Sequence, residues 1–188
     1  QEEGGLYSPR PASDFSHNYS RLKDRYLYWI DVPWSKSETY RNQGSFSRKN
    51  NLEADKIASH IKQALDDESY SNETIGIITF YKDQVQTIKD ALRKQGIINI
   101  HDEPTSKYMN LEIVVGTVDA FQGKEFHVVY LSMTYTFDIS NPNICTKESY
   151  SRLVMNNLLN VAVSRQQKLL ICVGDQKVFS YFKAKKYE

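Results

Sequence analysis

TIGIITFYKDQVQTIKDALRKQG, residues 74–96, holds the segment whose reading decides the fold. Thr74 to Thr79 is an unbroken apolar run of strand length, as expected where a sheet is covered on both faces. The period then changes. Val85, Ile88, Ala91 and Leu92 recur at helical spacing, which predicts a helix over 82–95 with those four side chains inward. Gly96 supplies the stop.

The same alternation extends on both sides. Upstream, Tyr26 to Val32 is an aromatic and β-branched run closed by Pro33, hence a strand. Residues 34–49 show no sustained period and are expected to be loop. Asn50 and Glu53 make an N-x-x-E capping box. It opens a helix whose inward stripe is Leu52, Ile57, Ile61, Ala64 and Leu65. Downstream, Ile97 to Ile100 is expected as a short strand, followed by a polar loop containing Pro104. Leu111 to Gly116 and Phe126 to Leu131 are expected as buried strands, with a turn over Thr117 to Gly123 between them. After a loop over Thr134 to Lys147 come a helix over 149–164, a strand over Leu169 to Gly174 and a basic helix over 176–186. Strands separated by helices predict an α/β domain with a mostly parallel sheet. The irregular arm is assigned to residues 1–24, where Gly4, Gly5, Pro9 and Pro11 punctuate polar sequence, and the domain to 25–188.

Composition narrows the function classes. A chain of 188 residues suits one domain. Its net charge of +1 does not mark a generic polyanion binder, so a nucleic-acid surface would be local. Cys145 and Cys172 are too few and too far apart for a zinc site. They are expected as free thiols in a reducing cytosol or nucleus. The four histidines show no metal-ligand spacing. No apolar run approaches the roughly 20 residues that cross a bilayer, so no membrane partner is expected. The opening Gln1-Glu2-Glu3-Gly4-Gly5 is no secretory signal, and its lack of Met suggests an excised fragment.

Parallel sheets bind ligands beyond the carboxyl ends of their strands. That rule selects Thr79 to Lys82, Gly116 to Glu125, Ser132 to Thr134, and Gly174 with Asp175; Arg165 is added although it precedes its strand. In VGTVDAFQGKE, residues 115–125, Thr117 could hold a phosphate. Gly123 would let backbone approach a ligand, and Glu125 could accept from a sugar hydroxyl. A plain turn with Asp119 capping a short helix explains the same residues. In NVAVSR, residues 160–165, Arg165 could reach a phosphoryl group, or simply pair with a surface carboxylate or its own helix end. At the end of the first strand quoted, Thr79 could bond a backbone phosphate and Phe80 or Tyr81 could stack a base. Aromatics there are more often core.

Together, in order and spacing, these blocks resemble the later motifs of superfamily 1 helicases, in the nonsense-mediated-decay and senataxin-like branch (AAA_12 type). Thr74 to Tyr81 is similar to motif IV, with Phe80 where the family has proline. Gly116 to Glu125 is similar to motif V, and Asn160 to Arg165 to motif VI. Leu158 and Leu159 stand where the family often has arginine before leucine, and Gln166-Gln167 where it has a small residue then a basic one. The resemblance implies a three-layer RecA-like domain, the second of two in the enzyme. It implies Arg165 as an arginine finger toward ATP, and Glu125 on the nucleotide ribose with Gln122 and Gly123 shaping that side. Thr79 and Thr117 would grip single-stranded DNA or RNA, and Ser132 would connect the two sites. No G-x-x-x-x-G-K-(S/T) loop occurs, nor an Asp-Glu pair at a strand end for Mg²⁺. Both would belong to the first RecA-like domain of the same protein, and the chain alone should not hydrolyse ATP. The alternative is a degenerate, non-catalytic RecA-like module that binds single-stranded nucleic acid or a protein partner.

Overall fold

The computed structural model describes residues 16–23, 25–34, 39–41, 47–70, 72–136 and 156–178. In chain order the elements are β1 (Leu27–Asp31), β2 (Thr39–Arg41), β3 (Arg48–Asn50), α1 (Asn51–Asp66), β4 (Thr74–Thr79) and α2 (Lys82–Lys94). They continue as β5 (Glu112–Thr117), β6 (Phe126–Ser132), α3 (Asn156–Val163) and β7 (Gln166–Gly174). Five of the strands form one sheet in the order β1-β7-β6-β4-β5, and every pairing in it is parallel. Among the described residues no helix is long and apolar enough to cross a membrane.

Side-chain alternation divides this sheet between two cores. Ile75 and Ile77 of β4, Val128 and Tyr130 of β6, and Leu169, Ile171 and Val173 of β7 join one cluster with α1 and α2. Ile78, Val129, Leu131, Leu170 and Cys172 face the other way, against Phe121, Phe126 and Ala162. Strands buried on both faces read as continuous apolar runs for this reason. The result is the expected three-layer α/β arrangement.

The direction of strand addition reverses at β4. β5 is laid on one side of it and β6 on the other, so the connection from β5 to β6 must cross β4. Such crossovers usually take a dozen or more residues; here Val118 to Glu125 does it in eight. A short 3-10 helix over Val118–Phe121 carries the crossing, with Phe121 pressed on Gly76. A β-carbon on Gly76 would stand 2.7 Å from a ring atom of Phe126 and 3.0 Å from one of Phe121. Only glycine leaves room there.

Several expectations need correction. Residues 39–41 and 48–50 form a small antiparallel pair rather than loop; three-residue strands of mostly polar residues leave no alternation to detect. Ile97 to Ile100 is not a strand. Ile98 makes one isolated bridge to Pro104, while the Asn99 carboxamide oxygen accepts the N–H groups of His101 and Glu103 and bends the chain away. Ile100 is consequently 81% exposed. β7 begins at Gln166, three residues early, because Gln166 pairs with Phe126 across an irregularity. In α2, Gln84 is buried and Val85 only half-buried. Tyr19 and Leu22, placed in the arm, are buried in the main core. Residues 1–15, 137–147, 149–155 and 179–186, parts of the expected arm, loop and helices, lie outside the described residues.

Tyr19 enters a polar knot inside that core. His60 bonds the Tyr130 hydroxyl at 2.7 Å and the Tyr19 hydroxyl at 3.1 Å, and Tyr70 meets Tyr130 at 3.0 Å. Burial, reinforced by the charge of Arg21, lowers the His60 pKa to about 4. The folded state therefore binds fewer protons here than the unfolded chain between about pH 4 and 6.5, and the stability that neutral His60 contributes is complete above about 6.5 and lost as pH falls through about 4. His60→Gln should narrow its gap in thermal midpoint from wild type as pH drops from 7.5 toward 5; a constant gap refutes this. Gly76→Ala should cost about 2 kcal/mol in urea unfolding, since two packed rings must move; an unchanged midpoint would show that the crossing is loose.

Candidate functional site

All strands of a parallel sheet end at one edge, so the selected residues divide by the end of the strand they occupy. Thr79, Thr117 and Ser132 close β4, β5 and β6 and stand in register: Thr79 pairs with Thr117 on one side and with Ser132 on the other. The crossing then carries the chain to the opposite edge. Gln122, Gly123 and Glu125 lie just before β6, and Arg165 just before β7. Six steps of β6 separate the two groups, roughly 20 Å at about 3.3 Å per residue. The block 116–125, taken in sequence as one place at the carboxyl edge, spans both edges.

At the amino edge, Gln122, Gly123, Lys124 and Glu125 are exposed. Gly123 has φ +78° with open space around its α-carbon, a left-handed turn that favours glycine. Arg165 is drawn to this turn. Its Nη1 donates to the Lys124 carbonyl at 3.4 Å, its Nε to the Val161 carbonyl at 3.0 Å and its Nη2 to the Ser164 hydroxyl at 2.8 Å. The Phe126 N–H donates to the Arg165 carbonyl at 2.9 Å, which ties the two segments together. All three guanidinium acceptors are neutral, and among the described residues no carboxylate forms a salt bridge with it. The bond to Val161 is the expected contact of Arg165 with its own helix end, and the bond to Lys124 sets the side chain beside the glycine turn. Gln167 Nε2 donates to Glu125 Oε2 at 3.1 Å; in sequence this glutamine was noted only as a departure.

The carboxyl edge is sealed. Thr79 is 0% exposed and its hydroxyl meets that of Thr134 at 3.0 Å. Phe80 and Tyr81 are 1% and 6% exposed, packed in the second core. None of the three presents its side chain at the surface, and the aromatic area at this strand end lies in the core. Thr117 is half-buried and makes no capping hydrogen bond, so it is the hydroxyl of the expected pair that remains at the surface.

Ser132 does not bridge the two edges. Its hydroxyl donates to Glu53 Oε2 at 2.6 Å and accepts from Gln84 Nε2 at 3.0 Å. The N–H of Thr134 donates to the same Glu53 oxygen at 2.8 Å, and Asn50 Nδ2 donates to Oε1 at 3.2 Å. The capping box is therefore half of what was expected. Asn50 Oδ1 caps the Glu53 N–H, but the Asn50 N–H goes to Gln84 Oε1 at 2.8 Å instead of to Glu53. The Glu53 carboxyl is 0% exposed; burial pushes its pKa up to about 8, with the nearby charge of Asp175 acting in the same sense and the bonds from Ser132 and Thr134 against it. Beside it, Asp175 accepts from the Thr136 hydroxyl at 2.6 Å and from the N–H of Trp34 at 3.1 Å. Gln84 was legible in one respect: it lies one turn before Ile88 on the apolar stripe of α2, a polar residue on an inward face.

The AAA_12 family, an AAA domain, matches residues 8–177 of the chain. The Danio rerio protein named "Putative helicase mov-10-B.1" is 34% identical over 143 residues, which are 72% of this chain and 13% of that protein. DNA polymerase alpha-associated DNA helicase A of Schizosaccharomyces pombe is 25% identical over 167 residues, 86% of this chain and 22% of that one. Regulator of nonsense transcripts 1 of Caenorhabditis elegans is 31% identical over 106 residues, 56% and 8% of the two chains. The chain thus spans less than a quarter of the length of these relatives.

The difference between the paired threonines can be measured. Thr79→Val should cost roughly 1–2 kcal/mol by leaving the Thr134 hydroxyl short of a buried partner, whereas Thr117→Val should stay within about 0.5 kcal/mol. Equal losses in chemical unfolding would contradict the burial difference.

Proposed function

Since the chain belongs to the AAA_12 family of AAA domains and to the superfamily 1 helicase branch of nonsense-mediated-decay and senataxin-like proteins, we propose that it is the second lobe of an ATP-driven nucleic-acid motor. The observation that carries this reading is the amino edge. A guanidinium whose described acceptors are all neutral lies against an open glycine turn that ends in an exposed carboxylate. Cation, bare backbone and carboxylate are the set that a phosphate chain and a sugar would require.

ATP, bound by a preceding lobe, supplies the phosphoryl group that passes to water. Arg165 supports that transfer by giving up weak carbonyl contacts and placing a fixed positive charge where charge develops. Glu125, oriented by Gln167, accepts from the ribose hydroxyls, while Gln122 and Gly123 keep that flank low enough for close approach. Among the described residues no group of three or more His, Cys, Asp or Glu could hold a metal ion, and no step is assigned to Mg²⁺ on this lobe. At the other edge Thr117 bonds a phosphate of single-stranded DNA or RNA; contacts of that kind carry no sequence information.

Arg165→Ala in the protein carrying this chain should lower ATP turnover by about 10³-fold or more, the scale of arginine-finger losses, while ATP affinity changes by only a few-fold. Arg165→Lys should rescue little, because a point charge cannot reproduce the planar fork. Wild-type turnover in the alanine variant would reject the assignment.

A further inference from the structure

Among the described residues, Thr134 is the one at the carboxyl edge whose backbone needs explaining. Its φ is +62°, a conformation that is a genuine outlier for a β-branched residue. It lies just beyond β6, 0% exposed, and begins the segment that leaves the sheet between β4 and β7. Such a conformation persists only where the surroundings over-determine it, and here one group does most of this. Glu53 Oε2 accepts the Thr134 N–H at 2.8 Å and the hydroxyl of the preceding β6 residue, Ser132, at 2.6 Å. The carboxylate is itself anchored from α1 through Asn50, and Gln84 of α2 fixes Ser132 from the far side.

The held residue acts in turn on its neighbours. The Thr134 hydroxyl meets that of Thr79 at 3.0 Å, and Thr79 is the register partner of Thr117. We infer that Glu53 is a positioning residue for the nucleic-acid side of this lobe: by holding Thr134 in the left-handed conformation it turns the Thr79 hydroxyl inward and sets where the paired ends of β4 and β5 present Thr117. A carboxyl group suits this task better than an amide, since one oxygen accepts from both Thr134 and Ser132 while the other accepts from Asn50, and an amide would set its NH2 against one of those donors. Asp175 holds the next turn of the same segment through the Thr136 hydroxyl, so two buried acids from different elements define the exit of β6. The inference rests on the strand contact proposed for Thr117.

The test compares wild type, Glu53→Gln, Thr134→Gly and the double variant in the protein carrying this chain. Amide exchange at Thr134 and the stimulation of ATP hydrolysis by an oligonucleotide are both read. Glu53→Gln should speed exchange at Thr134 roughly tenfold, as the loss of one buried hydrogen bond implies. It should lower strand stimulation about fivefold or more while the KM for ATP moves less than about twofold. Glycine holds a positive φ without help, so the double variant should recover most of the stimulation; a role confined to folding would show no such rescue. Unchanged exchange in Glu53→Gln, or a double variant as impaired as the single one, overturns the inference. Should the wild type show no stimulation by any strand, the reading of Thr117 fails instead, and exchange at Thr134 alone decides whether Glu53 holds the segment.

Discussion

The bare α-carbon of Gly76, closed over by the rings of Phe126 and Phe121, is the constraint on which the arrangement of this lobe depends. With β5 and β6 on opposite sides of β4, the chain between them must pass over β4's face. At Gly76 a β-carbon would stand 2.7 Å from the Phe126 ring and 3.0 Å from that of Phe121, so nothing larger than hydrogen fits there. Thr117 begins this passage at one edge of the sheet and Glu125 ends it at the other. The passage is pinned at Val118 and Phe121, which are buried, while Asp119, Ala120 and Gln122 to Glu125 are exposed. Packed interiors shift between discrete arrangements more readily than they stretch. The passage is thus a short bar, pinned at two points, between the two edges of the sheet.

The two ends of that bar have opposite physical character. At the amino edge the polar groups are exposed, and the charge of Arg165 is met by carbonyls and a hydroxyl. Bonds of that kind are easily exchanged for an anion, because neutral acceptors are weaker partners than charged ones. At the carboxyl edge the polar groups are sealed from water and mutually satisfied, with Glu53 at the hub. Desolvated networks resist partial rearrangement, since each orphaned group forfeits its full solvation. One edge is built to be completed by something else, the other to keep its shape.

Sequence showed the frame well and the polar interior poorly. β4, α1 and the position of α2 were legible because apolar period and end signals agree there, as at Asn50 and Gly96. Where the signal was local polarity, inference failed. Asn99 captures two N–H groups and breaks an expected strand, and no period reveals that. Glu53 had a sufficient local explanation as the second half of a capping box, which concealed its long-range one; Gln84 took over the bond it was expected to make. Phe80 and Tyr81 show the same limit from the other side, since an aromatic at a strand end is equally compatible with core and with surface. Arg165 and Glu125 share the amino edge, and a carboxyl-edge rule could not disclose that residues 116–125 run from one edge to the other.

β1 is an edge strand whose partner in the sheet is β7, and Leu27 faces Leu170. Of the strands in this sheet, β1 leaves a ribosome well before its partner β7 and must wait for it. With those partners 143 positions apart in the chain and synthesis at about 5–20 residues per second, the delay is roughly 7–30 s. Throughout that interval β1, with Tyr28, Trp29 and Ile30, has no place in the sheet. The aromatic run that is easiest to recognise in the sequence is thus the part of the nascent lobe most in need of shelter.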